Sequence, residues 1–273
     1  MDKKVCVITG GGSGMGLATA RIMGQDHLVI LVGRSAAKLE LAVADLRRQG
    51  IEAEAFARDI ANRSSVENLA KAARARGPVT TVIHAAGMSP HMGNAQTIME
   101  ANALGTIHVN DAFFAVMESG SCIIDVASMS GHLVPKLVLP TRAYPLSRTD
   151  TERFMRKMMG RVALFPQRLR SSVAYGISKH FVIWFAKTDA ARFGAKGIRV
   201  MSVSPGNFAT PMGELEKVEA SAYLKYCAIM RFGEVDEIAQ LFALLADPRL
   251  GYLTGTDIVC DGGCVASGCG KEK

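Results

Sequence analysis

Tyr175 and Lys179 stand four positions apart in Tyr175-Gly176-Ile177-Ser178-Lys179, inside a stretch of helical character running to about Phe193. That spacing puts a phenol and an ammonium on one helix face. A phenol with its ordinary pKa of about 10 is a poor proton carrier near neutrality. Bringing that value close to neutrality takes roughly 3–4 kcal/mol of preferential phenolate stabilisation, which a neighbouring ammonium and a cationic ring can supply. Tyr-x3-Lys alone is common on helix surfaces, so its meaning depends on what accompanies it.

Near the amino terminus, Thr9-Gly10-Gly11-Gly12-Ser13-Gly14-Met15-Gly16 follows an apolar run and opens a helix. A pyrophosphate can approach the backbone amides of a positively polarised helix start only where side chains do not hold it off. The residues after the second apolar run, Gly33-Arg34-Ser35, bear on which dinucleotide would bind. An acidic residue there would accept from the ribose 2′-hydroxyl of NAD and repel a 2′-phosphate. Here Gly33 leaves room, the Arg34 guanidinium can pair with phosphate, and Ser35 can donate a further bond. NADP(H) is therefore the expected cofactor. Metal chemistry is not expected, because proton and hydride transfer need none and no ligand set is evident.

These residues need a scaffold, and the apolar pattern supplies one. Strands are expected at 5–9, 28–32, 52–57, 81–84, 122–126, 199–203 and 257–260, separated by helix-patterned segments such as 36–49 and 66–75. Short, continuously apolar strands alternating with helices indicate a parallel sheet covered on both faces. Right-handed crossovers then give a single doubly wound α/β domain of the Rossmann type, mostly parallel and seven-stranded, spanning 1–273.

Across nearly the whole chain the order of motifs resembles the short-chain dehydrogenase/reductase family. The glycine turn has its Thr-Gly-x3-Gly-x-Gly form. His84-Ala85-Ala86-Gly87 resembles its Asn-Asn-Ala-Gly turn, departing at the first two positions, with His84 expected to be a hydrogen-bonded structural residue. Asn102-Ala103-Leu104-Gly105 is similar to the helix bearing the family's asparagine, and Val126-Ala127-Ser128-Met129-Ser130-Gly131 to the strand end bearing its serine. Asp59-Ile60 stands where the family meets the adenine ring; Ser204-Pro205-Gly206-Asn207-Phe208-Ala209-Thr210 resembles its nicotinamide-side loop, and Asp261-Gly262-Gly263 its closing motif. The resemblance implies that Ser128 holds the substrate oxygen, Tyr175 transfers a proton, and Lys179 binds the nicotinamide ribose while tuning Tyr175. Asn102 would anchor a water leading from Lys179 to solvent. Cofactor contacts would come from Thr9, Gly10, Ser13, Gly14, Met15, Gly16, Gly33, Arg34, Ser35, Asp59, Ile60, Ala85, Ala86, Gly87, Pro205, Gly206, Phe208 and Thr210, besides Tyr175 and Lys179.

One spacing departs from the family. Ser128 and Tyr175 are forty-seven positions apart, where the resemblance implies about a dozen. Tyr144 precedes Arg148 by four positions inside this stretch, but Pro145 suits no helix presenting both, and arginine would replace lysine. The excess reads as an insertion within about 132–172. Its place, with a shortened connection before Asn102, resembles the bacterial 3α-hydroxysteroid dehydrogenase/carbonyl reductase subgroup. Within it, Thr149-Asp150-Thr151-Glu152 reads as a capping box, followed by Phe154, Met155, Met158, Met159 and Val162 on one stripe. The segment is expected to pack beside the substrate cleft, to offer its methionines to a broad apolar ligand, and to favour a homodimer over a tetramer.

Composition bounds the remaining readings. Hydrophobic residues make up 49% and charged residues 21%, an ordinary globular balance. Between His132 and Ser172 lie nine cationic and two acidic side chains, which equals the whole net charge of +7. A chain neutral elsewhere is not built as a nucleic-acid binder. The opening apolar run is too short for a signal peptide or membrane span, and six cysteines without a Cys-x-x-Cys pair suit a reducing compartment, so a cytoplasmic location is expected. The expected activity is interconversion of a secondary alcohol and a ketone, on a hydroxysteroid or another bulky, apolar, cyclic substrate. The competing reading is an idle NADP(H)-binding module whose basic insertion recruits a partner; it would not need Asn102, Ser128, Tyr175 and Lys179 together.

Overall fold

Val5, Cys6, Val7, Ile8 and Thr9 are completely buried, the condition of a strand with helices packed on both faces. In a computed structural model, which describes residues 3–215 and 217–269, they form β1 (Val5–Thr9), an interior strand of a seven-stranded sheet. The other strands are β2 (Leu28–Gly33), β3 (Ala53–Ala57), β4 (Val79–His84), β5 (Cys122–Val126), β6 (Arg199–Pro205) and β7 (Asp257–Cys260). Their order is β3-β2-β1-β4-β5-β6-β7, and every neighbouring pair is parallel. The sheet is thus wholly, not mostly, parallel.

The winding reverses between β1 and β4, which puts a crevice at the carboxyl ends of these two strands. Helices α1 (Gly14–Met23), α2 (Ala36–Arg48) and α3 (Arg63–Arg74) connect the first half. Short polar side chains start the latter two: Ser35 accepts from Lys38 N and Asn62 from Ser65 N. α4 (Ala95–Met99) runs through a π-helical turn (Glu100–Leu104) into α5 (Gly105–Val116). One apolar layer joins Val7, Ile30, Val82 and Ile123 to α3 and α5, and the opposite layer joins Ile8, Leu31, Ile83 and Ile124 to α1 and to the helix Val235–Ala246.

After β5 come α6 (Ser130–Leu133), short 3-10 turns, α7 (Thr151–Ala163) and the long α8 (Arg170–Gly194). The start of α7 differs from the capping box expected there. Asp150, not Thr149, is the N-cap, and its carboxylate accepts from Arg153 N at 2.8 Å. Thr149 ends the preceding 3-10 turn instead. A carboxylate satisfies an orphan amide and also suits the positive end of the helix. Phe154, Met155, Met158 and Val162 are buried with Ile98, Met99, Phe181 and Phe185, with Met159 partly buried beside them. These side chains therefore serve as core across α4 and α8 rather than as the apolar ligand surface expected of the methionines. No helix among the described residues is long and apolar enough to cross a membrane.

Candidate active site

The glycine turn packs directly on the loop after β4. Gly10 has φ +72°, and a Cβ there would lie 2.9 Å from the carbonyl carbon of Ala85 and from Ala86 N. A Cβ on Gly16 would meet Gly10 O at 2.6 Å. Both positions are closed to any side chain. Ser13, the N-cap of α1, makes no side-chain capping bond, so the first amides of that helix have no protein cap. A turn of this shape fits a pyrophosphate.

A trough of about 230 Å³ runs from this turn. Gly10, Ser13, Gly14, Met15 and Gly16 line one wall, and Ala85, Ala86 and Gly87 the other. Gly33, Arg34, Asp59 and Ile60 close one end. Arg58 lines it too, a second guanidinium that sequence reasoning missed; it falls at the end of β3, where no motif marks it. The Arg34 guanidinium makes no bond among the described residues, while Arg58 Nη1 donates to Ala57 O at 2.9 Å.

Two expected contact residues line neither this trough nor the inner pocket that continues it. Thr9 is completely buried: its Oγ1 accepts from Ala86 N at 3.1 Å and is paired with His84 Nδ1 at 2.8 Å. It shapes the trough from beneath. Burial first, and then the charge of Lys179, hold the His84 pKa down at about 3, so this histidine stays neutral in its structural bond. Ser35 caps α2, as above.

Beyond Met15, Ala85 and Gly87 the trough continues into an inner pocket of about 100 Å³. Ser128, Tyr175 and Lys179 line it, opposite Pro205, Gly206, Phe208 and Thr210. Ser128 projects from the loop after β5, its Oγ accepting from Ser130 N at 3.2 Å. Tyr175 and Lys179 come from α8, with Lys179 Nζ 5.9 Å from the tyrosine ring centroid. Lys179 is 7% exposed, and burial lowers its pKa to about 8 against the opposing pull of Asp125. Asp125, completely buried, is itself raised to about 7 by desolvation, which outweighs the bonds it accepts from Asn110 Nδ2 at 2.9 and 3.1 Å.

Asn102 sits in the π-helical turn, a distortion often found at functional positions. Its Oδ1 accepts from Met88 N at 2.8 Å, and its Nδ2 donates to Met88 O at 3.0 Å and Ser178 Oγ at 3.1 Å. Asn102 Oδ1 and Lys179 Nζ lie 3.0 and 3.4 Å from the point a Gly87 Cβ would occupy, so the two flank one narrow space. The rejected Tyr144 lies elsewhere: it is completely buried, with its hydroxyl paired to His180 Nδ1 at 3.1 Å. Arg148, four positions on, is ion-paired to Asp189.

A family model described as short chain dehydrogenase matches residues 4–163, more than half of the chain. The chain belongs to the short-chain dehydrogenase/reductase family. A second model, described as enoyl-(acyl carrier protein) reductase, matches residues 163–265. The chain is 29% identical to the short-chain dehydrogenase/reductase bsc3 of Alternaria brassicicola, over 97% of each chain. It is 25% identical to a 3-oxoacyl-(acyl-carrier-protein) reductase of Synechocystis, covering 97% of this chain and 98% of that one. A short chain dehydrogenase from Burkholderia cenocepacia, solved in complex with NADP, shares the fold at TM-score 0.77 and 24% identity, covering 97% of this chain and 98% of that one. As an oxidoreductase of the short-chain dehydrogenase/reductase family, the chain has a fold that uses NAD(P)(H).

Around the pocket of this short-chain dehydrogenase/reductase, sequence reasoning missed Ser178, which links Asn102 to α8, and Asp125, which faces Lys179 from below. Ser178 is one of many helix serines. Asp125 passes for an ordinary interior strand residue, and only the sheet register reveals it.

Proposed function

We propose that the chain is an NADP(H)-dependent oxidoreductase interconverting a secondary alcohol and a ketone on a bulky apolar substrate. The observation that carries this reading is the convergence of Ser128, Tyr175 and Lys179 on one pocket continuous with the glycine-turn trough. When bound, the dinucleotide would supply or take up the hydride.

The remaining chemistry belongs to the chain. Ser128 Oγ orients the substrate oxygen. The Tyr175 hydroxyl gives that oxygen its proton in reduction and takes it back in oxidation. Lys179 places a buried positive charge beside the phenol. Asn102, held at three points, fixes the turn at Met88 against α8 and keeps an oxygen lone pair on the side of Lys179. Arg34 and Arg58 favour a 2′-phosphate at the far end of the trough. A binding module without turnover is not favoured, since it needs none of this acid-base arrangement.

A cleft beside Tyr175 supports the bulky substrate. Its volume is about 710 Å³, and Leu133, Val134, Val138, Phe165 and Leu169 give it apolar walls. Kinship with the hydroxysteroid dehydrogenase/carbonyl reductase subgroup remains part of this proposal. So does a homodimer, because the segment around α7 covers the outer surface of α4 and α8.

The experiment is reduction of a panel of cyclic ketones followed by NADPH absorbance. Tyr175→Phe is expected to lose at least about a hundredfold in kcat, while NADPH binding, followed by fluorescence, stays intact. Turnover that survives in Tyr175→Phe would refute the assignment.

A further inference from the structure

The cleft beside Tyr175 carries a feature that an apolar substrate leaves unexplained. Among its described lining residues, Arg168 is the only Lys, Arg, Asp or Glu. Other cations of the same segment are already engaged or lie elsewhere. Arg148 is ion-paired to Asp189, and Arg170 donates from Nε to Phe165 O at 3.0 Å and from Nη2 to Ala163 O at 3.1 Å. Arg153, Arg156 and Lys157 on α7 do not line the cleft. The Arg168 guanidinium has no hydrogen-bond or ion-pair partner among the described residues.

Its placement relative to Tyr175 is regular. Arg168, Ser172 and Tyr175 all line the cleft at spacings of four and three, as do Leu169, Val173 and Gly176. The 3-10 turn Gln167–Leu169 leads into α8 at Arg170, so these residues form one continuous helical face. Seven residues of such a helix set Arg168 about 10 Å along the axis from Tyr175. The cleft thus has the proposed reacting hydroxyl at one end, largely apolar walls between, and at the other end a guanidinium with no partner among the described residues.

We propose that Arg168 receives the carboxylate of an elongated substrate whose ketone or alcohol carbon lies at Tyr175, so that the substrate class is hydroxy- and keto-carboxylic acids with an apolar body of about 10 Å. This rests on the oxidoreductase reading of the same site. A carboxylate matches the fork of one guanidinium and leaves no second negative charge uncompensated, as a phosphate dianion would. Arg168 is exposed, so it favours the anion without having to be desolvated in its absence.

The test uses para-(oxocyclohexyl)benzoate and its methyl ester, which share the ketone and the apolar body and differ in the charge. With NADPH, the acid is expected to exceed the ester by about tenfold in kcat/KM, mainly through KM. In Arg168→Gln the acid-to-ester ratio should fall towards one, and Arg168→Lys should restore part of it. Equal use of acid and ester, or a preference that persists in Arg168→Gln, overturns the proposal. If neither ketone is reduced, the oxidoreductase reading fails for this substrate class. Calorimetric binding of the acid to the NADP⁺-loaded holoenzyme then decides the arginine separately. Binding lost in Arg168→Gln supports the role; absent binding, or binding unchanged in Arg168→Gln, overturns it.

Discussion

Lys179 donates from Nζ to the carbonyl oxygen of Val126 at 2.8 Å, tying the middle of α8 to the end of β5. The bond aims a buried ammonium at the pocket. Desolvation is the main influence on that ammonium's protonation, partly opposed by Asp125 one residue back on the strand.

From this follows a pH dependence. Lys179 holds its proton below about 8 and loses it above. Ketone reduction, which needs a proton on Tyr175 and a positive charge beside it, is therefore expected to fall as pH rises through this value. Asp125 is ionised above its own pKa of about 7 and raises the Lys179 pKa, so Asp125→Asn should move the break to lower pH. Profiles of kcat/KM for the two proteins check this; a break that stays in place would remove Asp125 from the account.

Cofactor preference depends on two guanidiniums. NADPH is expected to be favoured over NADH in kcat/KM. Arg34→Asp should reverse that preference, and Arg58→Ala should weaken NADPH by about tenfold, the worth of one charge-assisted bond, with little change for NADH. Equal efficiency with both cofactors in the unmodified protein would sink the assignment.

Tyr144 gives a contrast to Tyr175. Burial pushes its phenol pKa above the ordinary value, the wrong direction for an acid-base group near neutrality, and its hydroxyl pairs with His180. Tyr144→Phe should keep its turnover but lose about 1 kcal/mol of stability, read by chemical denaturation. Lost turnover in this variant would mean that the serine-to-tyrosine segment is misplaced.

The cap of α7 can be tested without touching the dinucleotide trough. Asp150→Ala should cost about 1 kcal/mol, whereas Thr149→Ala should be close to neutral. Denaturant midpoints decide between the two residues, and the reverse order would restore the threonine cap.

The strands and the glycine turn were legible because their signals are local. Continuous runs such as Val5–Thr9 must be buried on both faces, and glycine is required wherever another backbone comes within van der Waals distance, as Ala85 does at Gly10. Motif order likewise brought Asn102, Ser128, Tyr175 and Lys179 into view. By contrast, the stripe of Phe154, Met155 and Met158 had the right period for a buried face but carried no record of its partner, and packing against Phe181 and Phe185 decided it. Asp150 and Thr149 are adjacent capping residues, and only the backbone path at the helix start chooses between them. Arg58, Asp125 and Arg168 belong to no motif, and Ser178 fills an unspecified position within Tyr-x3-Lys. Each acquires its role from what lies across a sheet register, a helix face or a cleft, and such neighbours are set by the folded chain rather than by position along it.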